Sequence, residues 1–154
     1  MGDISPEELR AKIISRFDKM ETAQLPAETF KPVFAKGPET IKINREITQA
    51  NIIIGSAGMS RDNPNFYAGA LMNYIFGGGG FASRLLEEIR NKRGLAYSVH
   101  SFFDAGKYPG SFQIVLQTKN TSAAEAVSLA LQQIELIQKE PVSDQEVNLV
   151  YDRQ

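Results

Sequence analysis

Two short segments with alternating apolar residues decide the fold: 96-AYSVHSFF-103 and 111-SFQIVLQTK-119. In the second segment Phe112, Ile114 and Leu116 share one face, whereas Gln113, Val115 and Gln117 share the other. The connecting segment, 104-DAGKYPG-110, is short and rich in turn residues. The two segments therefore predict paired strands with one face packed on a core.

Amphipathic helices are predicted on both sides of these strands. A capping box of Ser5, Pro6 and Glu8 begins a helix over residues 5–20. A second helix is predicted over 64–76, capped by Asp62 or Asn63, and a third over 82–92, ended by Gly94. Capping boxes at Ser122–Glu125 and Ser143–Glu146 begin two more. Apolar residues fall on one face of the first two helices: Leu9, Ile13, Phe17 and Met20; Tyr67, Ala70, Leu71, Tyr74 and Ile75. In the next two helices the apolar residues are predicted to face inward: Leu85, Leu86 and Ile89; Val127, Leu131, Ile134 and Ile137.

Two further strands are predicted upstream, over 39-ETIKINRE-46 and within 47-ITQANIIIGSAGM-59. The run from Ile52 to Ile54 predicts burial on both faces of the second one. The order of elements predicts an α+β fold, an antiparallel or mixed sheet with helices packed on one face. We expect residues 1–154 to form a single domain, and we expect this domain to be part of a larger protein because the last helix is cut short.

Composition excludes several functions. Seventeen basic and eighteen acidic residues give a net charge near −1, so nothing predicts binding to nucleic acid or to a membrane surface. The absence of cysteine excludes disulfides and thiolate metal sites. A single histidine, His100, cannot build a catalytic zinc site, which normally takes three protein ligands, and we predict it to be half-buried or packed on the surface. The sequence alone therefore predicts no metal site and no complete catalytic set.

The glycine run Gly77, Gly78, Gly79 and Gly80 is the most conspicuous motif. It lacks the preceding strand and the Gly-Lys-Ser/Thr ending of a phosphate loop, so a flexible connection between two helices is the favoured interpretation. A stand-alone module that binds a small ligand through these glycines remains an alternative. Four glycines also permit an unusually close backbone approach to another chain.

Arg90 and Tyr97 lie seven residues apart, on either side of the break at Gly94. An arginine fork and a phenol that converge on one region would suit a polar group such as a peptide carbonyl. The other interpretation is a helix-end charge favoured by the helix dipole and a tyrosine of the core. The adjacent Glu87 and Glu88 point about 100° apart on a helix, so they predict a solvated face that pairs with Arg84, Lys92 or neighbouring chains.

The stretch 71-LMNYIFGGGGFASRLLEEIRNKRGLAYSVHS-101 closely resembles the C-terminal-domain signature of the pitrilysin-type zinc peptidases. The segments GDISPEEL, ITQANIIIGSAGMSRDNPNFYAGALM and PVSDQEVNLV are similar to other parts of the same domain, so the resemblance covers nearly the whole chain. It implies one half of a closed chamber. The partner would be an N-terminal half or subunit that carries Zn²⁺ in an H-x-x-E-H motif, which this sequence lacks.

The resemblance also implies a role for the two residues. Arg90 and Tyr97 would hold the backbone of a peptide substrate near the scissile bond, and residues 77–80 would lie along the chamber wall. The expected function is the substrate-binding, non-zinc half of a zinc-dependent metalloendopeptidase, inactive alone, which acts as a soluble protein in the bacterial cytoplasm or periplasm. A homodimer of the chain is possible on this view. The alternative within the family is a non-catalytic scaffold or assembly subunit.

Overall fold

The computed structural model describes residues 3–21, 23, 33, 36–140 and 142–151, with the backbone alone for Phe81 and Tyr151. The chain divides into two units, Met1–Lys31 and Pro32–Gln154. The first unit holds helix α1, Pro6–Phe17. Its start is the predicted one, because the Ser5 hydroxyl accepts a hydrogen bond from the Glu8 amide at 3.2 Å and Pro6 occupies the first turn. Its apolar residues Leu9, Ile13 and Phe17 are exposed.

The second unit contains a three-stranded antiparallel sheet formed by β1 (Gln49–Ala57), β2 (Ala96–Asp104) and β3 (Ser111–Lys119) in the order β1-β3-β2. Helix α2 (Phe66–Asn73) continues into a π-helical turn, Tyr74–Gly78, and a 3₁₀ turn, Gly80–Ala82. A second π-helical segment spans Leu86–Asn91. After the sheet come a 3₁₀ turn (Asn120–Ser122), helix α3 (Ala123–Lys139) and helix α4 (Asp144–Tyr151).

The predicted α+β class is confirmed, and the sheet of the described residues is wholly antiparallel. Its inner face, defined by Ile52, Ile114 and Leu116, packs against the helices. Its outer face, defined by Ile53, His100 and Val115, carries no helix in the described part of the chain. The layers are therefore helices on one side of a single sheet, as the turn between β2 and β3 predicts.

Two predictions about β1 and its upstream neighbour are wrong. Ile53 is 67% exposed, because β1 is an edge strand and only its inner face is covered, so the isoleucine run is not buried on both sides. Residues 39–46 form no strand, and Ile41 and Ile43 are exposed, since no described strand lies beside them. The side-chain amide of Asn120 holds the entry to β1 by donating to the Ile47 carbonyl at 2.8 Å.

The helix faces are only partly the predicted ones. Leu85, Leu86 and Ile89 are buried as expected. In α2, however, Tyr67 is 81% exposed and the sheet side carries Gly69, which packs beside Met59 and Phe103. In α3, Leu131 is exposed and Ala126 and Ala130 are fully buried, while Ile134 and Ile137 pack on the core. Small residues face the sheet in both helices, so hydrophobicity alone did not mark the buried side.

The capping boxes have different outcomes. Ser122 makes no side-chain cap, because a 3₁₀ turn precedes α3. Ser143 and Glu146 cap α4 reciprocally: the Ser143 amide donates to Glu146 Oε2 at 2.9 Å, and the Glu146 amide donates to Ser143 Oγ at 3.3 Å. The same carboxylate accepts two bonds from Arg84, Nε to Oε1 at 2.6 Å and Nη2 to Oε2 at 2.8 Å. This bidentate pair fastens α4 to the segment that follows the glycine run.

The glycine run is part of the helical layer, with Gly77 and Gly78 in a π-helical turn and Gly80 in a 3₁₀ turn. Gly77 lies in the π-helical turn, and a Cβ added there would come within 2.8 Å of the Ser101 amide nitrogen and 2.7 Å of Leu85 Cδ1. Beside it, Asn73 Nδ2 donates to the Ser101 carbonyl at 3.2 Å, and the Ser101 hydroxyl donates to Asn73 Oδ1 at 2.7 Å. The close approach at Gly77 is therefore made to strand β2 of the same chain, whereas an approach of these glycines to another chain stays a prediction.

We expect Gly77→Ala to lower the free energy of unfolding by about 2 kcal/mol, because the added methyl group meets strand backbone that cannot move aside. Chemical denaturation measures this change. Gly55→Ala is the matched control, since its nearest neighbour would be the Phe112 carbonyl oxygen at 3.9 Å, and we expect a change within about 0.5 kcal/mol. Equal stabilities of the two variants would contradict the packing argument.

We expect the Arg84–Glu146 pair to give a pH-dependent stability. The hydrogen bond from Arg84 is the main cause that lowers the pKa of Glu146 from its ordinary 4.5 to about 2. The carboxylate therefore contributes stability above pH 4.5, at most about 3 kcal/mol, and this contribution is lost as the pH falls from 4.5 through 2. Glu146→Gln should be less stable than the parent at pH 7 and equally stable near pH 2.

Denaturant unfolding at several pH values measures this difference between the two proteins. Glu135→Gln is the control, because its partner Lys139 lies 3.5 Å away and both side chains are largely exposed. We expect that variant to follow the parent at every pH. A constant difference between Glu146→Gln and the parent from pH 7 to pH 2 would contradict the assignment.

Candidate functional site

Arg90 lies near the end of the second π-helical segment, on its exposed side. Its orientation follows from its neighbour Ile89, which is fully buried. The segment ends at Gly94, whose φ of +63° is the left-handed conformation that glycine adopts without strain. The Gly94 amide donates to the Arg90 carbonyl at 2.8 Å, and the Leu95 amide donates to the Ile89 carbonyl at 2.9 Å. Gly94 is therefore the predicted stop, and it turns the chain from Arg90 directly into β2.

The charges around Arg90 form local pairs. Glu88 accepts hydrogen bonds from Lys92 and, at 2.7 Å, from Arg93, and these bonds, that from Lys92 first, lower the pKa of the Glu88 carboxyl. Glu87 accepts a bond from Asn91 at 2.8 Å. The predicted pairing with Lys92 is confirmed, whereas Arg84 pairs with Glu146 instead. Glu87 and Glu88 are thus hydrogen-bonded to side chains at the end of the same helical segment.

Tyr97 is placed by a β-bulge. Ala96 lies opposite Thr118, but Ser98 lies opposite Gln117, so Tyr97 is an extra residue in β2. In a bulge two consecutive residues face one partner, and both side chains can leave the sheet on the same side. Tyr97 and Ser98 are accordingly both exposed, between the buried Ala96 and Val99. The bulge directs the phenol outward. After the bulge the odd-numbered residues of β2 point inward, whereas Ala96, before it, is even-numbered.

Tyr97 is 48% exposed, and Arg90 is exposed as well. The interpretation of Tyr97 as a core residue is therefore wrong. Neither group is held in the protein interior, which is the arrangement that a substrate-contacting pair requires. That the two side chains converge on one ligand stays a prediction.

Beyond the bulge, His100 and Phe102 follow Tyr97 along β2 on the outer face. Their rings stack, with centroids 6.1 Å apart and an interplanar angle of 22°. His100 is exposed, which agrees with its predicted place on the surface. Sequence reasoning missed the bulge and the row it creates, although a signal exists: the apolar residues Ala96 and Val99 are three apart in a strand that otherwise alternates by two.

The glycine run offers little room for a ligand. A cavity beside Gly79 has a volume of about 30 Å³ and is lined by Tyr74, Glu146 and Val150 among others. Such a volume holds about one or two water molecules and no nucleotide. Gly77 is buried against Ser101, so its amide is not presented to solvent. These observations do not favour the small-ligand alternative.

Two properties of the described residues bear on function. No group of three or more His, Cys, Asp or Glu side chains among them could hold a metal ion. The residues of this chain that the structure describes therefore do not fit a zinc ion. No helix in the same residues is long and apolar enough to cross a membrane.

The fold is the α+β architecture that the resemblance to the pitrilysin-type peptidases implies. The chain belongs to the M16 peptidase family: the family model for the peptidase M16 inactive domain matches residues 1–152. The recognition made from residues 71–101 is thereby confirmed.

Individual relatives agree with this assignment. An uncharacterized zinc protease of Streptomyces coelicolor is 25% identical over 154 residues, which cover 95% of this chain and 33% of the relative. One from Rickettsia bellii is 33% identical over 112 residues, covering 70% of this chain and 26% of the relative. The chain thus spans about a quarter to a third of the length of these relatives.

Solved structures show the same fold. The crystal structure of a peptidase M16 inactive domain from Pseudomonas fluorescens matches with a TM-score of 0.76 and 28% identity, covering 94% of this chain and 35% of that chain. A protease from Helicobacter pylori matches with a TM-score of 0.78 and 16% identity, covering 99% of this chain and 38% of that chain. The second match, at its low identity, bears on the fold alone.

Proposed function

We propose that this chain is the substrate-binding, non-zinc half of a zinc-dependent metalloendopeptidase that hydrolyses peptides. The observation that carries the proposal is the bulge in β2, which presents the Tyr97 phenol on the uncovered face of the sheet, just beyond the helix end that bears Arg90. Bulges that re-aim a side chain are common next to active sites. The names of the relatives, zinc proteases, support the same class of reaction.

The roles proposed for Arg90 and Tyr97 follow from the hydrogen-bond donors that their side chains carry. Arg90 offers a fork of N–H donors and no acceptor, and Tyr97 offers one phenolic O–H. Both suit a peptide carbonyl, whose oxygen gains negative charge when the carbon is attacked. In this proposal they position the substrate and stabilise that charge, and they take part in no metal binding. Zn²⁺ belongs to an N-terminal partner domain or subunit, and the isolated chain hydrolyses nothing.

We expect Tyr97→Phe and Arg90→Lys to lower kcat/KM for peptide hydrolysis by about 100-fold, as is typical when one donor to a developing oxyanion is removed. The assay uses this chain together with its zinc-bearing half. Arg90→Lys keeps the positive charge but removes the planar fork of N–H donors. A lower kcat/KM in this variant would therefore show that the arrangement of the donors matters, and not the charge alone.

Tyr67→Phe and Arg93→Lys are the controls, because Tyr67 is a highly exposed residue of α2 and Arg93 pairs with Glu88. We expect both to retain the parent rate. Parent rates in Tyr97→Phe and Arg90→Lys would remove these residues from the mechanism.

The scaffold alternative predicts a different result in the same assay. A scaffold would bind its partner subunit and yield no hydrolysis of any peptide, whatever residue stands at position 97. Hydrolysis that depends on both subunits and on Tyr97 would exclude this alternative.

A further inference from the structure

Thr118 is a polar residue on the inner face of β3, where the alternation of the strand would place an apolar one. Phe112, Ile114 and Leu116 precede it on the same face and pack on the core. Thr118 is itself fully buried. A hydroxyl that is removed from water costs free energy unless it makes a hydrogen bond. The group that this hydroxyl bonds to therefore shows what its place in the core depends on.

The partner of the hydroxyl is a backbone group of the link between helix and strand. Thr118 Oγ1 donates to the carbonyl of Leu95, and the Lys119 carbonyl is a more distant acceptor at 3.4 Å. Leu95 stands between Gly94, which ends the helical segment, and Ala96, the first residue of β2. The buried hydroxyl of β3 thus bonds to the residue at which the chain leaves the helical segment.

Leu95 is held from two directions. Its amide donates at 2.9 Å to the Ile89 carbonyl, in the helical segment that bears Arg90. Its carbonyl accepts from Thr118, and its side chain packs on the core. Bonds at both the amide and the carbonyl restrict the backbone rotation of a link that directly follows Gly94, a residue of the most flexible type.

The register of the sheet places this bond next to the bulge. Thr118 pairs with Ala96, and the following residue of β2, Tyr97, is the extra residue of the bulge. The carbonyl that Thr118 holds lies two residues before Tyr97. A shift of that carbonyl would change the course of the bulge and turn the phenol, which is half-exposed and is therefore only partly held by its own packing.

We propose that Thr118 is a positioning residue for peptide hydrolysis: through the Leu95 carbonyl, its hydroxyl sets the direction in which the bulge presents Tyr97. The inference rests on the proposed function, in which Tyr97 donates to the substrate carbonyl. Thr118 is buried and does not contact the substrate. A reacting group displaced by about 1 Å can lower a rate by up to about 100-fold. The loss belongs to kcat, because the bond from Tyr97 is strongest in the transition state.

The test compares Thr118→Val, which keeps the shape of the side chain and removes the hydroxyl, with Thr118→Ser, which keeps the hydroxyl and removes the methyl group. With the zinc-bearing half present, we expect Thr118→Val to lower kcat by about tenfold with little change in KM, and Thr118→Ser to stay within about twofold of the parent. A role in packing alone predicts the opposite order, because only Thr118→Ser leaves a cavity. Ile54→Val, on β1 and packed on the same core, controls for a general loss of stability and should keep the parent rate.

A double-mutant cycle tests whether Thr118 acts through Tyr97. In the Tyr97→Phe background we expect Thr118→Val to change kcat by less than about twofold, because the donor that Thr118 positions is already absent. A further loss of about tenfold in that background would overturn the inference, since Thr118 would then act independently of the phenol.

The remaining outcomes separate this inference from the proposed function. Parent kcat in Thr118→Val, together with a slow Tyr97→Phe, removes only the positioning role. Parent rates in Tyr97→Phe contradict the proposed function and the inference with it. Where Thr118→Val does not fold, Thr118→Ala replaces it, because it differs from Thr118→Ser only in the hydroxyl. Equal kcat in Thr118→Ala and Thr118→Ser, or the failure of both hydroxyl-free variants to fold, would assign the hydroxyl to stability alone and overturn the inference.

Discussion

The contact between the Gly77 backbone and Ser101 of β2 sets the distance between the helical layer and the sheet. No side chain separates the two backbones at this point, and Leu85 closes over the same place. The hydrogen bonds between Asn73 and Ser101 satisfy the polar groups that so close an approach buries. The segment that bears Arg90 comes soon after the glycine run in the chain. The position of that segment over the sheet therefore depends on this contact.

The parts of the fold that follow from local chemistry could be predicted from the sequence. Gly94 ends its helix because only a residue tolerant of positive φ fits there, and Ser5 and Ser143 mark helix starts through hydrogen bonds made within one turn. The pairing of β2 with β3 could also be predicted from the sequence, since the strict alternation of apolar residues in β3 identifies its buried face. The spacing and donor groups of Arg90 and Tyr97 marked them as candidates, the resemblance supplied their role, and the structure adds that both are exposed.

What could not be predicted depends on tertiary distance. Gly69, Ala126 and Ala130 face the core because the helices lie close to the sheet, yet hydrophobic periodicity gives such small residues little weight. The exposure of Ile53 depends on which face of the sheet the helices cover, and that choice is a property of the whole fold. The ion pair between Arg84 and Glu146 joins residues 62 positions apart, beyond the reach of any local pattern.

The bulge at Tyr97 also constrains how this chain can vary in evolution. Before it, an even-numbered residue, Ala96, points into the core; after it, the odd-numbered Val99 and Ser101 do so. Loss of the extra residue would restore the plain alternation of β2, with Ala96 and Val99 still inward, and would remove only the side chain that the bulge directs outward. Loss of one residue elsewhere in β2 would instead turn the following side chains to the opposite face of the sheet.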